Sequence, residues 1–262
     1  MSNVGTLIRD WRQRRRLSQM DLALEAGIST RHLSFVETGR SKPSAEMVLL
    51  LAERLDVPLR ERNQLLLAAG YAPRYGELDL EDPELAPVKR ALELVLAGHE
   101  PYPACVVDRQ WGLVAANSGV ALLLDGVDPA MLAPPVNVLR LSLHPEGLAP
   151  RIRNLGEWRG HLLARLEREI TLSGDAALAA LRDELIAYPG APYEENREVA
   201  GDIAVPLRVT MPDGAELSFF STVATFGTAI DVTVAELSIE SFFPADGETA
   251  DYVRERAGAA AA

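Results

Sequence analysis

The chain is 262 residues long, 48% hydrophobic, with a formal net charge of -12. That length suffices for one full core and accommodates two, at about 100 to 200 residues per domain. No apolar run reaches the ~18 residues of a membrane-spanning helix, MSNVGTLIRDWRQRRR lacks the apolar core of a secretory signal, and one cysteine, Cys105, leaves neither an internal disulfide nor a cysteine metal cluster.

A globular cytoplasmic protein is therefore expected, without membrane contact, and Cys105 in PYPACVVD reads as a small core residue. The charge is unevenly divided. Residues 1–74 carry 12 Lys+Arg against 8 Asp+Glu, net +4, whereas residues 75–262 carry 14 against 30, net -16. Two modules follow, and salt screening over about 8 to 10 Å leaves a locally basic face effective toward phosphate despite the acidic remainder.

In chain order, LIRDWRQRRR, DLALEAG, RHLSFVE, AEMVLLLAERL and RERNQLLLAAG space their apolar residues three to four apart and predict five helices before residue 74. Ser18, Ser29 or Thr30, and Ser44 stand as N-caps, Gly27 and Gly39 as stops, and Pro58 at the first turn of the fifth helix. Residues 75–90 read as a linker, within a proline-rich and acidic stretch that begins at Gly70. Then VKRALELVLAGHE predicts a helix, and PACVVDRQWGLVAANSGVALLL a strand, a turn at Asp108, a second strand and a helix. NLGEWRGHLLARLEREI and AALAALRDELIAY are helical about an SGD cap. DIAVPLRVTMPDGAELSFFSTVATF predicts a hairpin turning at Met-Pro-Asp-Gly, and AELSIESFF a closing strand. The expected fold class is α+β: an all-α domain at 1–74, then an antiparallel sheet flanked by helices at 91–255, with residues 256–262 as a frayed tail.

Within the first module, SQMDLALEAGISTRHLSFVE has the layout of a helix-turn-helix, in which one helix crosses the phosphate backbone and a second presents side chains to base edges. Ala23 is small where the helices would cross, Gly27 supplies a positive φ, and Ile28, Leu33 and Val36 face inward. Ser29, Thr30, Arg31, Ser34 and Phe35 then face outward with His32 at the edge. Arg31 fits a guanine bidentately, and Thr30 and Phe35 a thymine methyl. Gln19, Arg40 and Lys42 are placed for phosphate, as are Arg14 to Arg16. The competing reading is a helical dimerisation bundle with a solvated arginine run.

Ser18-Gln19, Ala23, Gly27, the helix from Ser29 to Phe35, Glu37-Thr38-Gly39-Arg40 and Pro43-Ser44 together resemble the lambdoid-repressor or Xre type of helix-turn-helix over residues 4 to 69. The resemblance implies a double-stranded DNA operator as partner, a phosphate contact at Gln19, a structural role for Glu37, and base-facing positions at Thr30, Arg31 and Phe35.

HEPYPACVVDRQWGLVAANSGVALLL, NVLRLSLHPEGL, RNLGEWRGHLLARL, GDAALAALRDEL and the closing strands resemble, in that order, the MmyB-like ligand-binding domain over about residues 80 to 255. That resemblance implies a PAS-like sheet flanked by helices and a bound fatty acid as ligand class, with no other cofactor. From the residues themselves, a sensor pocket would be apolar with a few polar anchors. Tyr102, Trp111, Leu139, Trp158, Phe219, Phe220 and Phe226 are candidate walls; Asn117, Arg140, His144, Arg153, Asn154 and His161 are candidate anchors, with Arg140 or Arg153 suited to a carboxylate. Each has an ordinary alternative: core packing for the tryptophans, backbone capping for Asn117, a loop end for His144.

Enzyme chemistry is not expected. There is no glycine-rich phosphate loop or G-x-S-x-G elbow, His32, His99, His144 and His161 are scattered, and Glu194-Glu195 reads as a solvated loop pair. The expected function is a DNA-binding transcriptional regulator, a homodimer by the two-fold logic of operator half-sites, whose acidic module senses a small apolar ligand. The alternative is a constitutive or protein-partner-controlled regulator without a small ligand.

Overall fold

The computed structural model describes residues 3–190 and 205–260. It resolves two compact units: residues 1–79 with 171–173 and 228–235, and residues 80–170 with 174–227 and 236–262. The first unit therefore runs five residues past the expected boundary at 74. Asn63 holds that extension, its Oδ1 accepting from the N–H groups of Arg74 and Tyr75 at 3.0 and 3.1 Å and its Nδ2 donating to the Tyr75 carbonyl at 2.8 Å.

The first unit begins with the five expected helices: α1 (Val4–Arg14), α2 (Gln19–Glu25), α3 (Thr30–Glu37), α4 (Ala45–Arg54) and α5 (Leu59–Ala68). Their starts are chemically marked. Ser18, Ser29 and Ser44 each accept a hydrogen bond from a backbone N–H three residues on, satisfying a donor that the helix itself cannot. Ile8, Leu22, Leu33, Val36, Val48, Leu51 and Leu55 converge in one fully buried core. The short helix Val232–Ala235, named α11, also belongs to this unit.

In the second unit α6 (Ala86–Gly98) leads to β1 (Ala104–Val107) and β2 (Leu113–Ala116), followed by α7 (Val120–Leu124) and α8 (Val138–Leu143). Next come α9 (Leu155–Ser173), α10 (Ala176–Ala187), β3 (Leu207–Thr210), β4 (Glu216–Thr225), β5 (Ser238–Pro244) and α12 (Gly247–Ala260). The strands form one antiparallel sheet in the order β2-β1-β5-β4-β3, the PAS-like sheet expected, with strands from both ends of the segment meeting at β1 and β5.

Strand alternation explains the two cores. On β1, Ala104 and Val106 pack with Leu92 and Leu96 of α6, while Cys105 and Val107 enter the larger core with Trp158, Leu162 and Leu166 of α9. All four β1 residues are consequently buried. The Met-Pro-Asp-Gly turn is where expected: Gly214 takes φ +89°, and Met211 donates to the Ala215 carbonyl at 2.8 Å. Within the stretch expected as a frayed tail, α12 is described to Ala260; Val253 is buried in the core, and Tyr252 and Arg256 both hold Asp213. The Glu194-Glu195 pair lies outside the described residues.

Candidate functional site

In the helical unit, α2 and α3 are joined through Gly27 at φ +66°, and the Ile28 N–H donates to the Ala23 carbonyl at 2.9 Å. Ala23, 1% exposed, lets the two helices close, while Leu33 and Val36 are fully buried. The opposite face is left to solvent: Thr30 and Arg31 are exposed, His32, Ser34 and Phe35 half-buried, and Arg40 and Lys42 exposed in the following loop. Ser29 caps α3 by accepting from the His32 N–H at 3.1 Å.

Two features of this face escaped sequence reasoning. The Phe35 ring lies under two guanidiniums, Arg31 at 5.3 Å and Arg40 at 5.9 Å from its centroid, so one aromatic platform gathers the positive charge at the C-terminal half of α3. Lys42 extends over Tyr71 at 5.2 Å. Beneath the face, Arg12 grips Glu37 at 2.7 and 2.9 Å, and Gln19 donates from Nε2 to the same carboxylate at 2.7 Å. The carboxylate raises the Arg12 pKa further above its ordinary value, mainly through their hydrogen bond. Arg12 belongs to what reads in sequence as a solvated arginine run, and no local pattern separates it from Arg14 to Arg16. Arg15, a phosphate candidate, instead donates to the carbonyls of Leu55 and Asp56, both at 2.8 Å.

The second unit holds an apolar cavity of about 80 Å³. Its walls are Val120, Leu123 and Leu124 of α7, Val138, Leu139, Leu141 and Ser142 of α8, Leu148 between α8 and α9, Trp158 and Leu162 of α9, Leu207 of β3, Cys105 of β1, and Glu240 and Phe242 of β5. Of the thirteen candidate ligand residues, Leu139 and Trp158 are walls, the Trp158 Nε1–H donating to Ser142 Oγ at 3.0 Å. His161 stacks behind Trp158 with ring centroids 5.5 Å apart, and burial holds its pKa below the usual histidine value.

The remaining expected residues are placed elsewhere. Asn117 spends its amide on backbone, donating to Leu96 and Tyr102 carbonyls and accepting from Ala104 N–H. Arg140 pairs bidentately with Glu184, 2.8 Å at both contacts, and borders a separate cavity of about 230 Å³. Arg153 is exposed and pairs with Glu216 at 3.2 Å; Asn154 bridges Glu157, Pro206 and Arg208. His144 ends α8 with its ring edge on Tyr188, and Tyr102 packs at the margin of the core. Phe220 is 38% exposed, stacked on its cross-strand partner Phe243. Phe219 is fully buried core, and Phe226 packs on the α6 side.

Trp111 sits at the turn before β2 with φ +65°, a conformation bulky side chains rarely adopt. Its indole donates to Glu169 at 2.9 Å, and the Arg165 guanidinium lies 4.2 Å from its ring centroid. Arg165 also approaches Glu169 and Glu240, each at 3.4 Å. Burial is the largest influence on both carboxyls and raises their pKa values. Glu240 was missed. The signal available was a lone acidic residue, Glu240, in the otherwise uncharged strand sequence SIESFFP.

The model of the MmyB-like transcription regulator ligand binding domain matches residues 88–255, and a helix-turn-helix model matches residues 8–62. The chain belongs to the MmyB-like transcription regulator family. As a member of that family with a helix-turn-helix before its ligand-binding domain, it is a DNA-binding transcription regulator, and both matched families are regulator domains rather than enzymes. Comparison with curated proteins finds no match. Among solved structures, a variant of RsLOV is 15% identical with TM-score 0.29, covering 60% of this MmyB-like chain and 69% of that one. An RNA-binding light-oxygen-voltage receptor is 14% identical with TM-score 0.31, covering 96% of this chain, which spans 62% of the receptor's length. At these scores neither likeness carries a functional argument. Among the described residues of this MmyB-like regulator, no helix is long and apolar enough to cross a membrane, and no group of His, Cys, Asp and Glu is arranged to hold a metal.

Proposed function

We propose that this regulator binds a double-stranded operator as a homodimer in the cytoplasm, with α3 in the major groove, and that its acidic unit senses a small apolar molecule. The observation that carries the DNA reading is the exposed α3 face, where Thr30, Arg31 and Phe35 stand over a core of Leu33 and Val36. Arg31 reads a base edge; Gln19, Arg40 and Lys42 hold phosphates. A dimer presents two such helices one helical turn of DNA apart.

The ligand changes DNA affinity only by its difference in affinity for two states of the protein, and residues 70 to 90, which join the modules, carry that change. A fatty acid is the class the family resemblance implies. The cavity, at about 80 Å³, is smaller than the ~150 Å³ apolar cavity that admits benzene, so a long acyl chain requires the walls to part. The same small volume favours the second reading, a constitutive or partner-controlled regulator whose acidic unit is simply a packed core.

Fluorescence anisotropy of operator DNA, titrated with the full chain with and without saturating fatty acid, separates the two. A shift in the curve supports ligand-controlled binding. Coincident curves, with no lipid-sized adduct in native mass spectrometry, leave the constitutive reading.

A further inference from the structure

We propose that the cavity between β1, β5, α7, α8 and α9 receives a small apolar molecule through a hydrogen-bond-donor end, an alkylammonium group, held by Glu240. The inference rests on the sensing role proposed for the acidic unit and names the chemistry of what it senses.

The walls decide the polarity. Of the residues bordering the cavity, three are polar: Cys105, Ser142 and Glu240, and none is a cation. Ser142 already accepts the indole N–H of Trp158. Glu240 is 5% exposed and lies opposite Cys105 in the β1–β5 register, so both side chains project to the same face of the sheet.

Behind the cavity wall, one guanidinium, Arg165, faces two carboxyls, Glu169 and Glu240, at 3.4 Å each. Those three groups sum to one negative charge when ionised. A ligand carboxylate placed against Glu240 adds a second negative charge beside a carboxylate that is itself only 5% exposed; an ammonium neutralises the group and donates to the carboxylate. The proposed ligand is thus opposite in head-group charge to a fatty acid, and its apolar part is short, since the space of about 80 Å³ admits only a few heavy atoms.

The test uses full-length protein and three five-carbon probes of one shape: isoamylamine, isoamyl alcohol and isovalerate. Binding is read by calorimetric titration at neutral pH for the wild type, Glu240→Gln and Val120→Phe. The amine is expected to bind at least about ten-fold more tightly than the acid. Glu240→Gln should abolish that preference, and Val120→Phe, which fills the cavity and leaves Glu240 in place, should weaken all binding. Near-UV circular dichroism, which reports the packing of Trp111 and Trp158 in the acidic unit, and cooperative thermal unfolding check that each variant is folded.

An acid that binds as tightly as the amine overturns the head-group assignment and leaves the sensing role standing. Amine binding untouched by both substitutions overturns the location. Failure of all three probes on a chain that still binds DNA removes the assignment together with the sensing role for this cavity.

Discussion

Arg12 and Glu37, 25 residues apart in sequence, form a buried bidentate ion pair, Nε to Oε1 at 2.7 Å and Nη2 to Oε2 at 2.9 Å. Their side chains are 10% and 1% exposed. The pair ties α1 to the end of α3, and Gln19 donates into it from α2. Three helices thus meet at one carboxylate, and removing it leaves a buried guanidinium uncompensated. Glu37→Ala is expected to cost about 3 to 5 kcal/mol in chemical denaturation. A loss below about 1 kcal/mol would show that solvent reaches the pair.

On the operator, Arg31→Ala should weaken cognate binding roughly ten- to a hundred-fold and relax one base position, whereas Lys42→Ala should weaken all sequences alike and flatten the salt dependence. Phe35→Leu distinguishes two roles for the ring. If it only packs against a base, leucine retains much of its contribution. If it seats Arg31 and Arg40, as their distances of 5.3 and 5.9 Å suggest, leucine should also relax the position read by Arg31. A binding-site selection on each variant reads this directly.

Asn117 organises the segment ahead of β1 by serving three backbone groups, on Leu96, Tyr102 and Ala104. Asn117→Ala strands those groups in a buried site, and a destabilisation of about 3 kcal/mol is expected in urea unfolding. Asn117→Asp should also destabilise, because it replaces the donating amide with an acceptor facing two carbonyls. A neutral outcome for either would leave water to satisfy the carbonyls.

Glu240 makes the acidic unit's stability depend on pH. Burial raises its pKa above the ordinary carboxylate value of 4.5, opposed by Arg165 and the Ser221 hydroxyl. The folded chain therefore holds this proton more tightly than the unfolded chain. Its contribution is full below the unfolded value and lost as pH rises through the folded one. Glu240→Gln removes that loss, so the variant's Tm should gain on the wild type as pH climbs above the ordinary carboxylate value. Glu169 shifts in the same direction and Cys105 beside it stays neutral, so neither hides the difference. A constant gap in Tm would contradict the assignment.

Burial, with the nearby Glu240 charge adding to it, pushes the Cys105 thiol up to about 12. Iodoacetamide at neutral pH should leave Cys105 unmodified in the native chain and alkylate it in urea, as peptide mass spectrometry would show. Rapid native labelling would mean that β1 opens locally.

The sequence carried the organisation of this protein because local patterns encode it. Helical spacing marked α1 to α5, Ser18, Ser29 and Ser44 announced their caps, and strand alternation around Pro212-Asp213-Gly214 announced the β3–β4 hairpin. The outward face of α3 followed from the same periodicity, since Ile28, Leu33 and Val36 could pack only one way. The reach of α12 as far as Ala260 was not legible, because residues 257–260 have no amphipathic pattern and the helix is anchored earlier, through Tyr252, Val253 and Arg256.

What tertiary structure alone decided is which polar groups face each other. Arginines 12, 14, 15 and 16 look alike in sequence, yet Arg12 is sealed against Glu37 and Arg15 caps the end of α4, while Arg14 and Arg16 remain exposed. Arg140, Arg153, Asn117 and Asn154 have the chemistry of ligand anchors, but their hydrogen bonds go to Glu184, Glu216 and backbone. Glu240 meets Arg165 across 75 positions. A polar side chain takes whatever partner the fold brings within about 3 Å, and that choice depends on the crossing of distant elements rather than on any local period.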